Sequence, residues 1–164
     1  MFGQDEWLRH PANRALDLSG AVDLDEIGRL PDAPGLYAIW KEDFGGDQRS
    51  ALLYVGRSQP RDNNAGIRTR IAAYLYVSGT RRPNETLYLH LINHILRPDL
   101  STDERNVTEI AVEFLRTCAW AGWAVDGSDP PLPALERAAF KWGVLGERPL
   151  LNEPARTGVR GLVH

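Results

Sequence analysis

Cysteine is almost missing from this chain: Cys118 stands alone among 164 residues. A lone thiol cannot close an internal disulfide, which excludes the disulfide-stapled secreted scaffolds and fits a reducing compartment, so a cytoplasmic location is expected. Long apolar runs are missing too. None approaches the roughly 20 residues of a membrane-spanning helix, and LYLHLINHIL is interrupted by His and Asn. The opening MFGQDEWLRH lacks a signal-peptide core, so no secretory leader is expected. Lysine is scarce, with Lys41 and Lys141 the only two. Arg takes its place; it suits bidentate contact with phosphate, although genome composition also produces such a bias. There is no GxSxG elbow, no Walker-type phosphate cradle and no GxGxxG, which removes the commonest hydrolase, nucleotide and dinucleotide signatures. His90 and His94 have a zinc-compatible spacing but no third ligand, and read as polar-face or core-edge residues. No tandem repeat or low-complexity tract is visible.

What remains is an ordinary globular composition, 43% hydrophobic and 25% charged, in a length that supports one domain with a real core. The net charge of −3 argues weakly against nucleic acid, but it is unevenly spread. Residues 1–34 carry seven acids against three bases, and residues 98–129 seven against two. Residues 57–82 carry six arginines (57, 61, 68, 70, 81 and 82) against Asp62. Residues 137–164 carry five bases against two acids. A local basic field can bind phosphates on an acidic protein; ordinary surface exposure is the alternative reading.

Along the chain, VDLDEIGRL reads as a short helix ended by Pro31 and Pro34. LYAIW (36–40) and ALLYVG (51–56) read as short buried strands joined by the turn-rich KEDFGGDQRS. The loop RSQPRDNNAG is built of turn residues, and GIRTRIAAYLYVSG then reads as a helix with Ile67, Ile71 and Leu75 at four-residue spacing. ETLYLHLINHIL (85–96) reads as a further helix, stopped by Pro98. In VTEIAVEFLRTCAW (107–120), Ile110, Val112 and Phe114 alternate with Glu109, Ala111 and Glu113, which predicts a strand, with helix as the competing reading. Cys118 falls in this run as a core thiol. After the break GSDPPLP, Pro133 opens the helix ALERAAFKWGVL, and the chain ends in a loop-like tail from Leu150. The pattern predicts an α+β fold: a small central antiparallel or mixed β-sheet of about three strands, flanked by helices.

Two side chains stand out. On the helix after the loop, Arg70 and Tyr74 share a stripe bordering the apolar one, while Arg68 projects to solvent. On the late helix, Leu135, Ala138, Ala139 and Trp142 form the core stripe, and Arg137 and Lys141 the polar one. Glu136 lies in neither, with Ala139, Phe140 and Gly143 as its neighbours. A carboxylate on an apolar surface is costly unless it is paired with a cation or metal, so Glu136 is a candidate metal ligand; a favourable first-turn position is the bland alternative.

The ordered set PGLY, LLYVG, R-x3-Y on a helix, Glu on a later helix and LLN resembles the GIY-YIG endonuclease superfamily. The likeness runs from about Pro34 to Asn152. Leu36 and Val55 replace the two Ile residues, and Tyr in the R-x3-Y motif is closest to the incision domain of bacterial excision-repair nucleases. The resemblance implies a GIY-YIG nuclease-like domain over 31–155, with an insertion around 83–132, an N-terminal extension over 1–30 and a tail over 156–164. It implies a metal-dependent endonuclease acting on DNA, restriction-like or of mobile-element type. Tyr37 and Tyr54 would line the site and orient or deprotonate water. Arg70, with Arg68 as fallback because the preceding loop is long, would hold the scissile phosphate. Tyr74 would be a hydrogen-bond partner, and Asn152 would brace the site. Glu136 would bind one divalent cation, Mg²⁺ or Mn²⁺. Arg57, at a position where the family has Lys, would contact phosphate together with Arg61, Arg68, Arg81 and Arg82. A homodimer would supply a second active site. The alternative is a non-catalytic nucleic-acid-binding module that keeps the fold.

Overall fold

The computed structural model describes residues 2–44, 49–59, 66–75, 107–125 and 130–150, together with the helical Leu87 and Leu91. Its centre is a three-stranded antiparallel sheet in the order β2-β1-β3. Strands β1 (Gly35–Phe44) and β2 (Arg49–Ser58) form the hairpin that LYAIW and ALLYVG predict, each extended at its turn end. Strand β3 (Ala119–Ala124) pairs on the other side of β1. Beyond it, Val22 and Trp120 exchange backbone hydrogen bonds at 2.8 Å.

Side chains alternate across a strand, so the sheet separates two apolar layers. Tyr37 and Ile39 of β1 face one layer; Leu36, Ala38 and Trp40 face the other. The register of β1 on β2 shifts between Ile39, opposite Tyr54, and Trp40, opposite Leu52. Leu53 is the extra residue of this bulge, and both Leu53 and Tyr54 therefore lie on the Tyr37 side.

Helices α3 (Ile67–Leu75) and α4 (Val107–Leu115) cover the Tyr37 layer. Ile67, Ile71, Tyr74 and Leu75 of α3 are buried there with Ala111, Val112 and Leu115 of α4. The opposite layer is covered by α1 (Gln4–Arg9), α2 (Pro11–Ala15) and α5 (Leu132–Trp142). Trp7, Ala12 and Leu16 bury against Leu135, Ala138 and Ala139. Trp7 Nε1 donates to Gly143 O at 2.6 Å, and Leu145 N donates to Asn13 Oδ1 at 2.9 Å. The first thirty residues, which include a 3₁₀ turn at Leu24–Arg29 where VDLDEIGRL predicts a short helix, thus contribute directly to the core.

One sequence expectation is corrected. Residues 107–115 are helical rather than extended, and the third strand lies further on, at AWAGWA. The apolar residues Ala111, Val112 and Leu115 also satisfy a helical spacing, and Glu109, Glu113 and Arg116 are exposed together at i, i+4 and i+7. The true strand is rich in Ala and Gly, which carry little strand preference. Among the described residues no helix is long and apolar enough to cross a membrane.

Candidate active site

Tyr37 sits in the middle strand and faces Gly56 on β2 and Gly122 on β3. Its phenol ring lies where a Cβ on Gly56 would go, so any side chain at that position would displace the ring. A Cβ on Gly122 would lie 3.0 Å from Ile67 Cγ2, so this glycine lets α3 approach the sheet closely. The glycine of LLYVG is therefore needed for a cross-strand approach: it makes room for the tyrosine of PGLY. Tyr54, two residues earlier on β2, places its ring 6.2 Å from that of Tyr37 and is half-buried.

Helix α3 adds the other two groups. The hydroxyls of Tyr37 and Tyr74 share a hydrogen bond, with ring centroids 6.0 Å apart. Tyr74 in turn stacks on Trp120 of β3 at 6.3 Å. One turn earlier, the Arg70 guanidinium lies over the Tyr74 ring, 5.6 Å from its centroid, a cation–π arrangement. Arg70 Nε is buried and has no hydrogen-bond partner among the described residues. Arg68 points elsewhere: it is exposed, with Nη1 3.5 Å from Gly28 O and Nη2 4.0 Å from an Asp32 carboxylate oxygen. Of the two arginines, Arg70 is the one that joins the phenols.

Burial, reinforced by the neighbouring Tyr74 and Tyr54, raises the Tyr37 phenol well above its ordinary value, against a smaller opposing pull from Arg70. Tyr37 is therefore a neutral hydroxyl throughout the physiological range. Burial works against the Arg70 charge, but Tyr74 and Tyr37 outweigh it and the guanidinium is held more firmly protonated than usual. The cluster is a fixed cation among hydroxyls, a set of groups chemically able to take an anion through charge-assisted hydrogen bonds.

Glu136 is placed differently. It projects from α5 and pairs with Arg57 Nη1 at 3.1 Å, the two side chains retaining 16% and 28% exposure. Arg57 follows Gly56 directly, so strand alternation turns it away from the phenols; Val55, on the same side as Arg57, packs in the layer of α5. The hairpin and α3 thus bring Tyr37, Tyr54, Arg70 and Tyr74 together on one face of the sheet, while Arg57 of β2 meets Glu136 of α5 on the other. Among the described residues no three His, Cys, Asp or Glu side chains gather as a metal-binding group. Glu136 alone is compatible with Mg²⁺, which keeps several waters and commonly takes one or two carboxylates with substrate phosphates. Arg57 and such a cation address the same carboxylate.

Asn152, Arg61, Arg81 and Arg82, as well as His90 and His94, lie outside the described residues. Sequence reasoning missed Gly122 and Asp32. The signal for the first was the Gly in AWAGWA, an uncommon residue inside a strand. Asp32 carried a signal only in its place just before PGLY. The chain matches no protein-family model, no curated protein and no solved structure at a significant level.

Proposed function

We propose that this chain is a divalent-metal-dependent endonuclease of the GIY-YIG type, hydrolysing phosphodiester bonds in DNA. The observation that supports the reading most is the meeting of Tyr37, Tyr74 and Arg70 over Gly56. The three side chains come from two motifs of the resemblance, PGLY and R-x3-Y, Gly56 comes from a third, LLYVG, and the side chains meet on one face of the sheet.

Arg70 holds a phosphate oxygen and offsets the charge that develops on it in the transition state. Its protonation is not in question near neutral pH. Tyr37 acts as a neutral hydroxyl that orients groups by hydrogen bonding, in keeping with the burial that raises its pKa. Tyr54 is half-buried rather than fully enclosed, so of the two hairpin phenols it is the one that solvent water can reach. Tyr74 fixes Tyr37 through their shared hydrogen bond. A divalent cation bound at Glu136 would supply Lewis-acid activation of water and phosphate. Arg57, on releasing Glu136, contributes a phosphate contact, and Asn152 braces the site by the resemblance alone. Hydrolysis adds water across the P–O bond, with one proton passing to the leaving oxygen. Cutting both strands requires a second site, for which self-association is the simplest source. The lone buried thiol is consistent with a cytoplasmic setting.

One observation favours a second reading, a nucleic-acid-binding module without catalysis: the Arg57–Glu136 ion pair engages both the expected metal ligand and an expected phosphate contact. Incubating supercoiled plasmid with Mg²⁺, with Mn²⁺ or with chelator separates the two. Metal-dependent nicking that disappears in Glu136→Ala and Arg70→Ala supports the endonuclease. Retained binding without nicking in any condition supports the module, and neither binding nor nicking removes both.

A further inference from the structure

Helix α3 carries Arg70 and Tyr74, yet it lacks the usual device at its start. The residue before it, Gly66, has no side chain to accept the N–H groups of the first turn, which Ser, Thr, Asp or Asn ordinarily does. The missing acceptor arrives from elsewhere in the chain. Asp32 Oδ1 accepts from Thr69 N at 3.3 Å and from Thr69 Oγ1 at 3.1 Å. Thr69 is the third helical residue, the position whose N–H a side-chain cap normally takes. The neighbouring Ala33 O accepts from Ile67 N at 3.1 Å. Gly66 is required for this, because a Cβ there would run into the Asp32 carboxylate.

These bonds join the segment just ahead of β1 to the first turn of α3. Asp32 is five residues from Tyr37, and Thr69 is next to Arg70 and five residues from Tyr74. Arg70 N closes the first turn by donating to Gly66 O at 2.9 Å. If the cap is lost, the turn that frays is the one that fixes the Arg70 backbone. Arg68, which lies 4.0 Å from the other Asp32 oxygen, is exposed and adds little.

We infer that Asp32 is a positioning residue: by capping α3 from the segment just ahead of β1, it sets Arg70 and Tyr74 in register against Tyr37. The inference rests on the endonuclease reading for its effect on turnover, but not for its effect on the helix.

The test compares wild type, Asp32→Ala and Asp32→Asn by plasmid-nicking kinetics and by amide hydrogen exchange. Asn keeps an oxygen acceptor and drops the charge. Asp32→Ala is expected to lower kcat about ten- to a hundred-fold, the scale of a small misplacement of catalytic groups, with KM within about two-fold. Exchange over residues 67–75 should accelerate, while residues 107–115 keep their protection. Asp32→Asn should restore most of kcat and of the protection. Three results would overturn the inference: unchanged kcat in Asp32→Ala, equal impairment of both variants, or loss of protection in both helices together. A wild type that does not nick DNA removes the endonuclease reading and with it the effect on turnover. Exchange then decides alone whether Asp32 holds α3, and unchanged protection over 67–75 in Asp32→Ala refutes that as well.

Discussion

The two faces of the sheet divide the polar chemistry unequally. One face gathers hydroxyls and a guanidinium: Tyr37, Tyr54, Tyr74 and Arg70. The other holds an ion pair, Arg57 with Glu136, beside a layer built from α1, α2 and α5. A single strand feeds both, because consecutive residues of β2 turn opposite ways: Tyr54 and Gly56 toward the phenols, Val55 and Arg57 away from them. Adjacent letters of a motif need not share a pocket. What joins them is the edge of β2 that faces away from β1, where Leu150 N donates to Leu52 O at 3.2 Å.

The sharpest way to break this comparison is to remove one group from each face. Arg70→Ala and Glu136→Ala should each lower Mg²⁺-dependent plasmid nicking by about a hundred-fold or more, the effect of deleting a group that stabilises transition-state charge. Circular dichroism should show both variants folded. If only Arg70→Ala is inactive, the ion-pair face has no part in the reaction.

Gly56→Ala attacks the phenol face through packing. Its methyl meets the Tyr37 ring, so a destabilisation of about 1–3 kcal/mol is expected from urea unfolding, as for other overpacked cores. Leaving the ion-pair face intact, it should retain whatever divalent-metal binding the wild type shows by calorimetry.

The faces should also differ in pH response. On the phenol side, Tyr37 is raised well above 10.0, first by burial, and burial pushes the Cys118 thiol from 9.0 up to about 12. Both folded-state values exceed the unfolded ones. Their contribution to stability is therefore complete below about pH 9 and is lost as pH climbs through the folded values. On the opposite side, burial lowers His10 below 6.5, and its Nδ1 accepts from Ala12 N at 3.1 Å, a bond that only the neutral ring can take part in. That contribution is present above pH 6.5 and is lost as pH falls. Urea midpoints measured across pH should show a shallower alkaline decline in Tyr37→Phe and a shallower acid decline in His10→Asn. A mutation on one face that flattens the other limb would contradict the assignment.

The smallest effect belongs to Arg68→Ala. Its side chain is exposed and makes only long contacts, so stability should change by no more than about 0.5 kcal/mol. Nicking well above the Arg70→Ala level would separate the two arginines of RTR, and equal loss would undo that separation.

Much of this arrangement was legible in the residues. The hairpin, the Arg70–Tyr74 stripe and the solvent-facing Arg68 follow from short-range periodicity, which depends only on local geometry. For residues 107–115 helix stood only as the competing reading to strand, because the segment fits two periods at once and the choice between them depends on the layer that α4 covers. The partner of Glu136 was hidden for a related reason: Arg57 is distant in sequence, and strand alternation brings it to α5 only once the sheet exists. The helices of residues 4–15 are short, and it is tertiary burial of Trp7 and Leu16 that defines them.

The bond from Trp7 to Gly143 has a practical consequence for anyone trimming this protein to a smaller unit. A version starting at the hairpin would leave Leu36, Ala38 and Trp40 stripped of the leading helices that help to roof them. It would also unfasten the far end of the helix that bears Glu136. Such a fragment should come out sticky and poorly expressed, however complete its motifs look on paper.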